Sequence, residues 1–299
     1  MDLAQIRTFV AASEAGSFAA AGEIVHASAS SVTERIASLE HRIGTRLFHR
    51  SRKGCELTHA GARLLPRARS IVAIWEMSRA EARIPERFTT QARVGGQYAL
   101  WPEFLLPWIG QLQSEHSDLA LSLSAGSSAR LNRDLASDML DLAILYSPVL
   151  GPGVSARPVI NDRLILVRAA TCEDWRDGWV DIDWGEQMRL PMAEAIGELE
   201  PSGVRLDLGG MALNWIIERR AAGYLPERLA RPALEDGRVL RVDHLPHFEF
   251  PAYALWRTRA DFDADAIVRS LARFVADAGA LLEPSAADTF FVDAGNLPA

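Results

Sequence analysis

Only two of the 299 residues are cysteines, Cys55 and Cys172. They lie far apart in sequence, so no disulfide framework is implied and both are expected as reduced thiols. No apolar run approaches the roughly 20 residues that a membrane-spanning helix needs, and no membrane partner is expected. The first residues lack the basic-then-apolar pattern of an export signal. They read instead as a helix over 1–15, with Leu3, Ile6, Phe9 and Val10 on one face, and the expected location is cytoplasmic. His244 and His247 are interrupted by Pro246 and lack a third ligand at useful spacing, so no metal site is expected. Gly95-Gly96 and Gly209-Gly210 read as tight turns rather than a nucleotide-binding loop, and no Gly-x-Ser-x-Gly elbow appears. Neither a catalytic residue nor a cofactor is expected.

The formal charge of −7 at first argues against a polyanionic partner. Dividing the chain weakens that objection. Residues 1–88 carry 13 Lys+Arg against 9 Asp+Glu, a net +4, and residues 89–299 carry 19 against 30, a net −11. The acidity belongs to the carboxy-terminal part, and the amino-terminal part is mildly basic. The length leaves room for two domains or more, and 48% hydrophobic with 24% charged residues is ordinary for a globular chain.

Residues 15–61 carry the strongest signal: two short amphipathic helical patterns joined by a tight polar turn, then a basic loop, Arg50-Ser51-Arg52-Lys53-Gly54. Ser17 can cap the first helix, whose apolar face is Ala20, Ala21, Ile24 and Val25. Ser28 can cap the second, where Val32, Ile36, Leu39 and Ile43 recur at steps of four, three and four. This is the layout of a winged helix-turn-helix, and the implied partner is double-stranded DNA. Specific contacts are expected from Ser28, Ala29, Ser30, Ser31, Thr33, Glu34, Arg35 and Ser38, and backbone contacts from Arg50, Arg52 and Lys53.

Here the chain resembles the LysR-type transcriptional regulators of bacteria. The matching positions include Phe9, Ala15-Gly16-Ser17-Phe18, Glu23, Ser28, Ser30, Val32, Ile36, Leu39-Glu40, Gly44, Leu47-Phe48, Arg50, Arg52, Gly54, Leu57-Thr58 and Gly61. Two positions depart from the usual pattern. Ala29 stands where glutamine is common, which removes a bidentate adenine contact. Glu34 stands where a cationic or neutral polar residue is more usual.

Thr58 can cap a long helix from about His59 to Arg87, with Pro66 inside it to bend it or delay its start. The resemblance makes this the linker that pairs two subunits. From Ala92 onward strands alternate with helices: Arg93 to Gly96, Trp101 to Leu112, Leu119 to Ala125, Ser128 to Met139, Leu140 to Leu145, Ile160 to Ala169, Met211 to Ala221, Phe250 to Arg257 and Ala264 to Ala278. The alternation implies a parallel sheet with helices on both faces. The resemblance implies an α plus α/β chain: a winged helix-turn-helix over 1–58, a linker helix over 59–88 and a two-lobed effector domain over 89–299. That domain would resemble type 2 periplasmic binding proteins, with lobe I at about 89–160 and 262–299 and lobe II at about 161–261. Residues 280–299 read as a mobile tail that can dock through Phe290, Phe291 and Val292.

A small-molecule effector is expected between the lobes, near Gln97, Tyr98, Ser127, Ser128, Tyr146, Asp207 and Gly209. Helix amino termini there offer free amides, and relatives often hold small carboxylates or aromatic acids at such positions, although Asp207 adds negative charge. Tyr98, Trp101, Tyr146 and Trp215 are available to stack on an aromatic ligand, or to pack a core. Asp183-Trp184-Gly185 reads as a turn with a buried indole. The function implied is a sequence-specific transcriptional regulator, dimeric or tetrameric, modulated by that effector. The alternative is a small-molecule receptor or solute-binding module whose amino-terminal part serves assembly only.

Overall fold

In the computed structural model the chain divides into two units, Met1–Pro85 and Glu86–Ala299, and residues 2–51, 54–199, 202–257 and 263–278 are described. Each helix of the first unit starts on a polar cap. Helix α1, Leu3–Ala15, begins with a capping box in which Asp2 and Gln5 satisfy each other's backbone amides, and it stops at Gly16 in the left-handed region. Ser17 caps α2, Phe18–Ile24, and Ser28 caps α3, Ala29–Ile43, which ends at left-handed Gly44. Strands β1, Phe48–Ser51, and β2, Gly54–Leu57, pair antiparallel as a hairpin.

Ile6, Phe9, Val32, Ile36, Leu39 and Leu47 are at most 1% exposed and form the core of this unit. Removing such a side chain from water is worth roughly 1.5–3 kcal/mol. The Phe48 ring joins Phe9 at 5.4 Å and Phe18 at 5.5 Å, which fixes the hairpin on the helices. Two expected core positions are exposed instead: Ile24 at 56% and Ile43 at 41%. Both stand on the last turn of their helices, beyond the residues that the core encloses.

Thr58 caps α4, His59–Glu81, with its hydroxyl accepting from the Gly61 amide at 3.0 Å. The helix runs through Pro66 without a delayed start, and it ends earlier than the expected Arg87. Pro85 accounts for this, because a proline ring disfavours helical backbone at the preceding residue.

The second unit opens with β3, Thr90–Gln97, followed by irregular turns and α5, Leu106–Glu115. The expected helix over Trp101–Leu112 is therefore broken. Pro102 is extended and Glu103 is left-handed at φ 58, while Pro107 sits in the first turn of α5, where its missing amide is harmless. Then come β4, Leu119–Gly126, α6, Ser128–Ala136, β5, Leu142–Leu145, and the 16-residue β6, Val154–Ala169. Next are β7, Asp181–Ile182, α7, Glu186–Ile196, β8, Arg205–Leu206, α8, Ala212–Arg219, β9, Ala222–Pro226, and α9, Glu227–Glu235. The order closes with β10, Val239–Arg241, β11, Phe248–Arg257, and α10, Ala264–Ala278.

The sheet is not wholly parallel, as the alternation had implied. β3 pairs parallel with β4 and β5, whereas β11 pairs antiparallel with β5 and β6, and β9 and β10 pair antiparallel with β6. The long β6 is the reason. Its first part lies beside β11 and its last part beside β9 and β10, so one strand serves both lobes. The tail bearing Phe290, Phe291 and Val292 lies outside the described residues.

Candidate nucleic-acid interface and interlobe seam

The turn between α2 and α3 is built by close backbone approach. The Ala27 amide donates to the Gly22 carbonyl at 2.9 Å, and a Cβ on Gly22 would fall 2.5 Å from the Ala27 oxygen. His26 completes the turn at φ 51, a conformation that L-residues with bulky side chains rarely take. The Ser28 hydroxyl then accepts from the Ser31 amide at 3.2 Å and lies 2.8 Å from the Ser30 hydroxyl and 3.0 Å from that of Ser31. Three hydroxyls thus surround the amino terminus of α3, where backbone amides favour an anion such as a phosphate.

Along α3, Ser30, Glu34, Ala37 and His41 form the exposed row opposite the buried Val32, Ile36 and Leu39. Ala37 and His41 were not among the expected contacts, although they continue the helical spacing that begins at Ser30. Ala29 is exposed at the first turn, and its carbonyl accepts from the Thr33 hydroxyl at 2.9 Å. Arg35 and Ser38 lie on the flank toward α1: Arg35 reaches the Thr8 hydroxyl at 3.5 Å, and Ser38 accepts from the Gln5 amide nitrogen at 3.0 Å.

The wing is fastened to this helix. One Glu40 oxygen accepts from the amides of Leu47 at 2.8 Å and Phe48 at 3.2 Å. Its other oxygen pairs with Arg50 at 3.6 Å, and the Arg50 guanidinium lies 4.9 Å above the Phe18 ring. Cys55 donates its amide to the Gly16 carbonyl at 2.8 Å. Gly54, at φ 136, has no room for a side chain, since a Cβ would sit 2.3 Å from the same oxygen. Arg52 and Lys53 lie outside the described residues. Burial raises the pKa of both Cys55 and Cys172, which keeps these thiols protonated at neutral pH.

In the second unit the expected effector residues fall into three groups. Gln97 uses its side-chain oxygen to accept from the Ala99 amide at 2.9 Å, and Gly209 lies so close to Tyr98 that a Cβ would come within 2.6 Å of it. Ser127 caps α6, and the carbonyls of Ser128 and Ser147 both accept from Asn132 at 2.8 Å. Asp207 is exposed just beyond β8. Tyr146 belongs to none of the three. It is buried, stacks on Phe250 at 4.0 Å and donates its hydroxyl to Asp162 at 2.6 Å.

Asp162 also accepts from Arg228 at 3.0 and 2.9 Å, and Arg228 donates further to the carbonyls of Ala99 at 2.9 Å and Pro102 at 2.7 Å. The break at Pro102 and Glu103 leaves those carbonyls free of helical partners. Burial disfavours the Arg228 charge, and the Asp162 carboxylate more than offsets it, so the guanidinium pKa is raised. Burial, then the Asp162 charge, pushes the Tyr146 hydroxyl well above its usual range. Sequence reasoning missed both Asp162 and Arg228. Their signal was a carboxylate inside the apolar strand that follows Ile160.

Asp183-Trp184-Gly185 has the expected buried indole. Asp183 accepts from the Gly185 amide at 3.0 Å and from Arg205 at 2.7 Å, the buried Trp184 indole donates to the Tyr224 carbonyl at 2.8 Å, and Gly185 starts α7 at φ 101. Trp101 donates its indole N–H to the Gly96 carbonyl at 2.9 Å, and the Arg219 guanidinium lies 5.2 Å from the Trp215 ring. Among the described residues no His, Cys, Asp or Glu cluster is placed to hold a metal, and no helix is long and apolar enough to cross a membrane.

A winged helix-turn-helix with an exposed polar row, followed in the chain by a two-lobed α/β unit, defines the class of DNA-binding proteins that carry their own ligand-binding domain. Residues 3–62 match the bacterial regulatory helix-turn-helix protein, lysR family, and residues 86–280 match the LysR substrate binding domain. The chain belongs to the lysR family: it is a DNA-binding transcriptional regulator with an effector-binding domain. It is 27% identical over 275 residues to the HTH-type transcriptional regulator HdfR of Escherichia coli, covering 91% of this chain and 96% of the relative. Among solved structures it is similar to CbnR, a LysR family transcriptional regulator, at a TM-score of 0.66 and 19% identity, over 91% of this chain and 99% of the other. It is also similar to full-length LysG of Corynebacterium glutamicum with bound effector Arg, at 0.52 and 19%, over 91% and 97%. These two likenesses establish the fold.

Proposed function

We propose that α3 enters the major groove of a specific operator, with Ser30, Glu34, Ala37 and His41 toward the base edges. Ser28, Ala29, Ser31 and Thr33 lie along the groove wall at the helix amino terminus, while Arg35 and Ser38 flank the row on the α1 side. Arg50, Arg52 and Lys53 of the wing contact the phosphate backbone. The observation that carries this reading is the exposed polar row on α3 beside a hydroxyl-lined helix amino terminus.

The regulator acts in the bacterial cytoplasm, catalyses no reaction, and divides into a DNA-binding domain over 1–58, a linker over 59–88 whose helix is α4, and an effector domain over 89–299. It assembles as a dimer or a tetramer. Ile71, Ile74 and Trp75 of α4 are 38–48% exposed, an apolar row that a second copy covers. Two copies place two recognition helices on half-sites about one helical turn apart. A small molecule bound between the lobes, near Gln97, Tyr98, Ser127, Ser128, Asp207 and Gly209, shifts the balance between two assemblies on DNA. LysG, with its bound arginine, offers a precedent for a small-molecule effector.

The test is a gel shift with the DNA upstream of the protein's own gene. Arg52→Ala is expected to weaken binding and to lower the slope of log affinity against log salt by about one contact. Identical binding and an identical slope would remove the wing from the interface.

A further inference from the structure

The second lobe contains a cavity that neither the DNA-reading surface nor the seam between the lobes uses. It lies beneath α7 and has a volume of about 410 Å³, a size that suits a small organic ligand. Met188, Met192 and Ile196 of α7 face Trp179, Ile182 and Tyr224 across it. The polar atoms of two of its aromatic walls are already committed. The Trp184 indole donates to the Tyr224 carbonyl at 2.8 Å, and the Tyr224 hydroxyl donates to the Pro246 carbonyl at 3.1 Å. Water in such a space makes few hydrogen bonds and is readily displaced by an apolar molecule. The two methionines can follow the outline of whatever enters, because the thioether chain is flexible and polarisable.

The mouth of the cavity has a sign. Arg205 lies between two carboxylates, 2.7 Å from Asp183 and 3.6 Å from Asp181. Arg189, also at the rim, is drawn to Glu186 at 3.3 Å. One guanidinium against two carboxylates leaves negative charge in excess beside an aromatic wall. The roof is also jointed. Helix α7 lies between Gly185 at φ 101 and Gly197 at φ 74 and contains Pro191. From its first turn Gln187 donates to the Ser147 hydroxyl of the first lobe at 2.6 Å. A molecule under α7 therefore acts on a helix that touches the other lobe.

We propose that this cavity is a second ligand site, for a flat apolar molecule that carries a positive charge, and that its occupancy is transmitted through α7 to the seam. The site is separate from the one between the lobes, and the assignment of the DNA-reading surface does not rest on it. Tryptamine, indole and indole-3-acetate share one ring system and differ in charge, so they serve as probes. Calorimetric titration of the full-length protein is expected to rank tryptamine first and indole-3-acetate last, with about tenfold or more between them, a difference of about 1.4 kcal/mol.

Met192→Trp fills the cavity with an indole of its own and is expected to abolish tryptamine binding. Asp181→Asn, at the exposed mouth, is expected to narrow the ranking without affecting the fold, and it carries the test if M192W does not fold. Equal affinity for the three compounds, or no binding of any at millimolar concentration, overturns the assignment. So does tryptamine binding that survives in a folded M192W, a ranking that D181N leaves unchanged, or tryptamine binding that is lost in Tyr98→Ala while a folded M192W retains it.

Discussion

Arg228 of the second lobe grips Asp162 of the shared strand β6 through two hydrogen bonds of 3.0 and 2.9 Å, and both residues are more than nine-tenths buried. The same guanidinium holds the Ala99 and Pro102 carbonyls of the first lobe. A charge in this position is tolerated because all three guanidinium nitrogens donate to an acceptor, two of them to the opposite charge.

Removing one partner leaves the other charge buried and alone. Arg228→Ala is therefore expected to destabilise the protein by about 3–5 kcal/mol, and Asp162→Ala similarly. The double variant is expected to lose less than the sum, because no orphan charge remains. Urea unfolding of the three variants followed by tryptophan fluorescence checks this, and strict additivity would show that the pair is not coupled.

His26 in the recognition turn has the left-handed conformation at φ 51. A β-branched residue there is strained, and glycine is not. His26→Val is expected to lower stability by about 1–2 kcal/mol, and His26→Gly to leave it unchanged or slightly raised. Thermal melts of the two variants are expected to fall on opposite sides of the parent or, for glycine, to coincide with it.

Tyr224 holds its proton to about pH 12 because burial disfavours the phenolate. The unfolded chain releases that proton near pH 10, so ionisation favours unfolding. The contribution is complete below about pH 10 and is lost as pH rises toward 12. Tyr146 shifts in the same direction. Tyr224→Phe is expected to flatten, without abolishing, the fall in melting temperature between pH 10 and 12; an unchanged slope would mean that Tyr224 ionises freely in the folded protein.

What the sequence disclosed was local. Ser17, Ser28 and Thr58 announce helix starts because a cap needs only its own next three residues. Strands β3, β4 and β11 and helix α10 were recognisable from periodicity and appear close to the expected ranges. Features that depend on distant partners were hidden. Asp162 and Arg228 are 66 residues apart, and no pattern at either position names the other. The direction of β6 is set by β11, nearly a hundred residues later, so alternation alone suggested parallel pairing. Helix α7 carries Pro191 in its interior, which masks a helical pattern, and α9 carries Pro232. On α3 the capped end and buried face were legible, while the turn of Arg35 and Ser38 toward α1 depends on Thr8 and Gln5.

Lys53 is the sole lysine in the chain, and in the sequence it falls between the segments that form β1 and β2. Its reactivity toward an amine-acetylating reagent therefore reports on one place, apart from the amino terminus. The most direct test of the α3–wing surface is the acetylation rate of Lys53, read by mass spectrometry with and without the specific operator duplex. If the surface lies on DNA, saturating duplex protects Lys53 and added salt restores its reactivity. An undiminished rate on fully bound protein would contradict the account.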